Sequence, residues 1–91
     1  MTRFVQAKSC RLTELPDETG VVLHLERKFY FTLNPTAVFL YRALTDDACR
    51  TEAALTARLV DEFDVDEQTA AGDVKDLLTE LLAEGIVERE A

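Results

Sequence analysis

The chain has 91 residues, a hydrophobic fraction of 47% and a formal charge of −8, which bound it to one domain with one modest core and exclude a disordered tail. No run of about 18 apolar residues occurs and Met1-Thr2-Arg3-Phe4-Val5-Gln6-Ala7-Lys8 has no long apolar stretch, so neither a membrane span nor a signal peptide is expected, and the cytoplasm is the default compartment. The charge is lopsided: residues 1–50 carry seven Lys/Arg against six Asp/Glu, residues 51–91 three against twelve, and an acidic helical half repels phosphate and argues against a nucleic-acid partner.

The first third reads as strands. Cys10-Arg11-Leu12-Thr13-Glu14-Leu15 is a first strand, and Pro16-Asp17-Glu18-Thr19-Gly20 is a turn in which Pro presets one backbone angle and Gly permits the unusual one. The second strand is Val21 to Glu26. Alternation places Val21, Leu23 and Leu25 on its buried face and sends His24 to the surface. The third strand is Lys28 to Leu33, with Phe29, Phe31 and Leu33 on one face and Lys28, Tyr30 and Thr32 on the other. The short Glu26-Arg27-Lys28 connection implies an antiparallel hairpin, so the meander leaves its third strand on an edge.

Helices follow. Asn34 is a good N-cap and Pro35 suits the first helical position, where its missing N–H has no partner anyway. Ala37, Leu40, Tyr41 and Leu44 recur at helical spacing, and Thr45-Asp46-Asp47 ends this helix. Thr51 caps a second helix running to about Phe63, with Ala54, Leu55, Leu59 and Phe63 as its stripe. Asp66 caps a third, from Glu67 to Glu84, with an apolar stripe two rows wide: Ala70, Val74, Leu77 and Leu81, then Ala71, Leu78 and Leu82. Gly85 stops it, and Ile86-Val87 pack back as a tail. The whole is an α+β domain, residues 1–91, with its core across residues 10–88.

Chemistry-bearing patterns are absent. Cys10 and Cys49 form no CxxC pair and one histidine adds little, so no metal site and no cofactor is expected; two reduced thiols fit a reducing compartment. Gly20, Gly72 and Gly85 are too scattered for a phosphate loop, and no nucleophile has a base beside it in sequence, which argues against an enzyme. What remains is a binding surface. An aromatic edge strand beside an apolar helix suits β-augmentation, in which an extended peptide adds a strand to the sheet. No proline interrupts residues 28–33, so their N–H groups stay usable.

The order of two strands, an aromatic strand with Phe29-Tyr30-Phe31-Thr32-Leu33-Asn34-Pro35-Thr36-Ala37, and a final helix from Asp64-Val65-Asp66 through Asp73-Val74 to Gly85-Ile86-Val87 resembles the PqqD-like family, the recognition elements for precursors of ribosomally made, modified peptides (RiPPs). The resemblance implies a winged helix-turn-helix fold, a three-stranded antiparallel sheet followed by three helices. It implies capture of a precursor's leader segment along the third strand, in a cleft bordered by the third helix. Carried over by position, Lys28, Phe29, Tyr30, Phe31, Thr32 and Leu33 would meet the leader, and Val74, Leu77, Leu78 and Leu81 would line the apolar side. Asp73 and Asp76 suit a basic leader residue by charge. The implied partners are the leader and separate maturation enzymes: a leader peptidase and cyclase, as in lasso-peptide systems, or a radical enzyme. Members often carry glycine in the turn where this chain has Glu26-Arg27-Lys28. The alternative for this outline is a winged-helix DNA-binding regulator, which a third helix holding Lys75 among Glu67, Asp73, Asp76, Glu80 and Glu84 suits poorly.

Overall fold

The computed structural model describes residues 1–90. Its elements in order are β1 (Phe4–Gln6), β2 (Cys10–Glu14), β3 (Gly20–His24), β4 (Phe29–Leu33), α1 (Pro35–Ala43), α2 (Glu52–Glu62), α3 (Glu67–Ala83) and β5 (Val87–Arg89), with a 3₁₀ turn at Asp47–Cys49 between α1 and α2. The α+β class, the antiparallel meander β2-β3-β4 and the three helices are as the sequence predicts.

The helix starts are local chemistry. The Asn34 side chain accepts the Ala37 N–H at 2.8 Å, and the Thr51 hydroxyl accepts the Ala54 N–H at 3.1 Å. Asp66 holds the N-cap position of α3 but makes no capping hydrogen bond, so it acts there only through its charge on the helix dipole. Gly85 ends α3 at φ +74°, a conformation that glycine adopts without strain.

Three parts of the sequence reading change. First, β1 pairs antiparallel with β5 in a separate two-stranded ribbon, with Phe4 opposite Arg89 and Gln6 opposite Val87. The tail after α3 is thus a strand, and the core extends to Phe4, outside the 10–88 span. Arg3 and Arg50 both bond Asp47 and Glu90, tying the ribbon to the 3₁₀ turn.

Second, the faces of β3 are reversed. Gly20, Val22 and His24 point inward, and Leu23 and Leu25 are exposed. The pairing register explains it. His24 lies between Cys10 and Phe29, Val22 between Leu12 and Phe31, and Gly20 between Glu14 and Leu33, so the inward row of each strand is set by its neighbours. His24 is not a surface histidine. Its ring stacks on Phe29 with centroids 5.4 Å apart, and its Nδ1 accepts the Arg27 N–H at 3.1 Å, which closes the hairpin from inside.

Third, Lys28 belongs to the hairpin turn rather than to the strand. It donates its N–H to the His24 carbonyl at 2.7 Å and takes φ +58°. This is the left-handed conformation that a glycine would supply at no steric cost, and a lysine there carries strain.

Gly20 has a different task. A Cβ at this position would lie 2.9 Å from both Leu12 Cδ1 and Val38 Cγ2, so α1 approaches the sheet as closely as the backbone permits. Two substitutions should move stability in opposite directions. Lys28→Gly should raise the unfolding free energy by about 0.5–1 kcal/mol by removing left-handed strain. Gly20→Ala should lower it by about 1–3 kcal/mol through overpacking. Urea melts check both; an unchanged denaturant slope with a shifted midpoint is the expected form.

Candidate functional site

β4 is an edge strand, since the sheet order is β2-β3-β4 and no strand among the described residues pairs on its outer side. An edge strand presents alternate N–H and C=O groups with no partner. β4 runs straight into α1 through Asn34, while α3 packs mainly on α2 and β5. The space left between the end of β4, the first turns of α1 and the middle of α3 is an open cleft of about 340 Å³. Asn34, Thr36, Ala37 and Leu40 line one wall; Asp73, Asp76, Leu77 and Glu80 line the other.

The helix wall follows from spacing. Positions 73, 76, 77 and 80 lie three and four apart, which puts them on one face of α3. Leu77 is half-buried and brings apolar surface to the wall, while Ala37 and Leu40 opposite are buried and back it. Asp73, Asp76 and Glu80 are exposed, and among the described residues none of them meets a cation. The cleft therefore joins an apolar strip to an uncompensated negative rim.

Of the candidate residues, the structure gathers some here and sends others elsewhere. Asp73, Asp76 and Leu77 line the cleft. Phe29 and Phe31 are half-buried on the inward face of β4, so each keeps an open portion. Tyr30 and Thr32 are exposed on the opposite face, and Lys28 is exposed in the turn. Leu33, Val74, Leu78 and Leu81 are buried in the core, with Val74, Leu78 and Leu81 packed between Leu40, Tyr41, Leu44 and Leu55. These four support the cleft from beneath and offer no surface in this conformation. The reason is the width of the α3 stripe: it serves α1, α2 and β5 at once, and of the candidate leucines on α3 Leu77 stays at its margin. Asn34, Thr36, Ala37, Leu40 and Glu80 are the lining residues that the sequence reading missed. Glu80 was signalled by its place one turn beyond Asp76, and the others by following the edge strand without a linker.

Two other concavities make a useful contrast. One, about 640 Å³, lies between α2 and α3 over Ala53, Ala57, Val60 and Ala71. Helical backbone flanks it on both sides, so it has no open hydrogen-bonding edge. Another, of about 520 Å³, lies beside Leu12, Phe39 and Arg42 near the free edge of β2. There Arg42 pairs with Glu14 and Arg58 with Asp46, and among the described residues Glu62 is the one lining carboxylate outside an ion pair. The β4 side combines a free edge with unmatched charge.

No group of three or more His, Cys, Asp or Glu residues among the described residues is arranged to hold a metal ion. Both cysteines are buried and free, and burial raises the Cys10 thiol pKa, the direction that weakens a nucleophile. Beneath the cleft, Tyr41 is buried and its hydroxyl makes no hydrogen bond within the described structure.

An edge strand beside a helix-walled cleft, in a three-stranded antiparallel sheet packed with three helices, defines a class of small α+β domain. The chain belongs to the PqqD family: the family described as coenzyme PQQ synthesis protein D matches residues 19–87. Two solved structures are similar in fold. One is TbiB1 in complex with the TbiA(beta) leader peptide, with a TM-score of 0.82 and 22% identity over 96% of this chain and 98% of that one. The other is a lasso peptide synthetase B1 complexed with the leader peptide, with a TM-score of 0.80 and 23% identity over 94% of this chain and 98% of that one. No curated protein matches the chain significantly.

Tyr41 gives a test of the packing under the cleft. Burial pushes its pKa up to about 12, with the neighbouring Cys10 adding to the shift. A phenol whose folded pKa lies above its unfolded value stabilises the fold below the unfolded pKa and loses that contribution as pH rises towards the folded one. Wild-type stability should therefore fall by about 2 kcal/mol between about pH 10 and pH 12 relative to Tyr41→Phe. At pH 7 the same variant should match or exceed the wild type by about 1 kcal/mol, because an unpartnered buried hydroxyl is removed. Denaturant melts at both pH values read the two effects.

Proposed function

We propose that this chain captures the leader segment of a ribosomally made precursor peptide by strand addition along β4 and holds it for separate maturation enzymes. The observation that carries the reading is the unpaired edge of β4 beside a cleft that is apolar at Leu77 and negative at Asp73, Asp76 and Glu80. Main-chain hydrogen bonds to the edge supply affinity, and alternate side chains supply specificity. Phe29 and Phe31 present their half-open rings to the guest, Lys28, Tyr30 and Thr32 flank it, and Leu33, Val74, Leu78 and Leu81 hold the floor. The acidic rim favours a leader with Lys or Arg in the segment beside α3. Family membership and the two similar folds, each named with a leader peptide, support the reading.

The chain contributes binding and not catalysis, and its site needs no cofactor. A lasso-type pathway, with a leader peptidase and a cyclase as the enzymes, is favoured over a radical-enzyme pathway by the second of these folds, named as a lasso peptide synthetase B1. The reading places the chain in the cytoplasm, where precursors are made, and no described helix is long and apolar enough to cross a membrane. A DNA-binding regulator is the poorer reading, since α3 carries one lysine, Lys75, and at least four exposed acids.

Calorimetric titration with the leader half of a precursor encoded beside the chain tests the reading, with duplex DNA as control. Leader binding at roughly micromolar Kd or tighter, with no DNA binding, is the expected result. Leu77→Asp should weaken the leader at least about tenfold while keeping the fold, because this side chain is already half-exposed. The amides of β4 that point away from β3 should gain exchange protection on leader addition; unchanged exchange there would falsify strand addition at β4. DNA binding without leader affinity would favour the regulator.

A further inference from the structure

An antiparallel sheet with one face on the core ordinarily turns polar residues to water on the other. The β2-β3-β4 sheet does not. Its outward register places Arg11, Leu23 and Tyr30 side by side across the three strands, and Thr13, Val21 and Thr32 in the next row. Tyr30 is 72% exposed, Leu23 41%, and Leu25, in the turn that follows β3, 48%. Apart from Met1 and Leu15, these are the only large hydrophobic side chains that the described residues leave exposed. An aromatic with leucines beside it and arginine at the margin has the composition of an interface centre.

Cations stand around this face. Arg11 adjoins Leu23 directly, and Lys28 stands in the hairpin turn before Tyr30. Lys8 is nearby, its carbonyl accepting from Arg11 Nη1 at 2.9 Å. Among the described residues none of the three is in an ion pair; Arg27, Lys75 and Arg89 are likewise unpaired, whereas Arg3, Arg42, Arg50 and Arg58 are paired. Glu26, the carboxylate in the β3–β4 turn, accepts the Ser9 hydroxyl at 3.1 Å. A chain of net charge −8 thus keeps unpaired cations around its exposed apolar sheet face.

We propose that this outer face is a second docking surface, used by a maturation enzyme that offers an apolar centre with carboxylates around it. The identity of the occupant rests on the leader-capture reading; the surface itself does not. A second copy of this chain is the poorer occupant. Symmetric face-to-face pairing sets the same patch against itself and brings Arg11 and Lys28 near their own copies, and like charges meeting across an interface oppose association. The outer face and the cleft lie on opposite sides of β4, so a leader and an enzyme can be held at once.

The test uses Leu23→Ser and Arg11→Glu, both at exposed positions away from the cleft. Wild type and variants are titrated calorimetrically against each purified maturation enzyme encoded beside the chain, and separately against the leader peptide. One enzyme should bind the wild type, more weakly at high salt, and each variant should lose roughly tenfold or more of that affinity. Leader affinity and thermal midpoint should stay close to wild type. Equal enzyme affinity for wild type and variants, or no enzyme binding to the wild type, would overturn the proposal. So would wild-type self-association or binding to anionic vesicles that Leu23→Ser abolishes. Loss of leader binding in the wild type, read in its own titration, would count against leader capture alone.

Discussion

The close approach of α1 to the sheet at Gly20 sets the rest of the structure. With no Cβ on Gly20, Val38 and Leu12 close over the sheet there. Asn34 is the single residue between β4 and α1, so the helix cannot shift without pulling the strand. Once α1 is fixed, its far side, Leu40, Tyr41 and Leu44, becomes the seat for Leu55 of α2 and for Val74, Leu78 and Leu81 of α3. α3 is thereby held one helix away from β4. The cleft is the gap this layering leaves, and its depth follows from the thickness of α1. A second tie closes the hairpin end. Arg27 lies over Gly85, with Nη1 donating to the Glu84 carbonyl at 3.3 Å, a cation at the C-terminus of α3.

The sequence made the helices legible because their punctuation is strong. Asn34-Pro35, Thr51 and Gly85 each have a local physical role that needs no tertiary context, and the structure honours each one. The strand faces were harder to read. Val21-Val22-Leu23 is apolar throughout, so its alternation carries no sign, and His24 looked polar when its ring was needed against Phe29. Only the register with Leu12 and Phe31 decides which face is inward, and register is a long-range property. The β1–β5 ribbon escaped for a similar reason. Three-residue strands have no periodicity to read, and this pair joins the two ends of the chain.

The site was legible in part. An aromatic edge strand and an apolar helix with Asp73 and Asp76 on it can be inferred from order and spacing. Which α3 leucine reaches the surface cannot, because Val74, Leu77, Leu78 and Leu81 differ only in the angle at which each meets α2 and β5. The turn glycine missing from Glu26-Arg27-Lys28 was a real signal. The backbone still takes the left-handed form there, and Lys28 bears it because the His24 carbonyl and ring fix the turn from both sides.

An open edge is a liability as well as a binding device, because two copies can pair edge to edge. The acidic half of the chain bears on this. In a symmetric pairing of β4 with β4, the α3 walls flanking the two edges would bring Asp73, Asp76 and Glu80 of one copy towards the same residues of the other. Among the described residues none of these carboxylates is in an ion pair. A peptide that carries Lys or Arg meets the same rim as attraction. On the leader-capture proposal, the charge that a composition reading assigns to solubility alone has a sign at this edge: it opposes self-pairing and favours a basic guest, and both effects weaken together as salt rises.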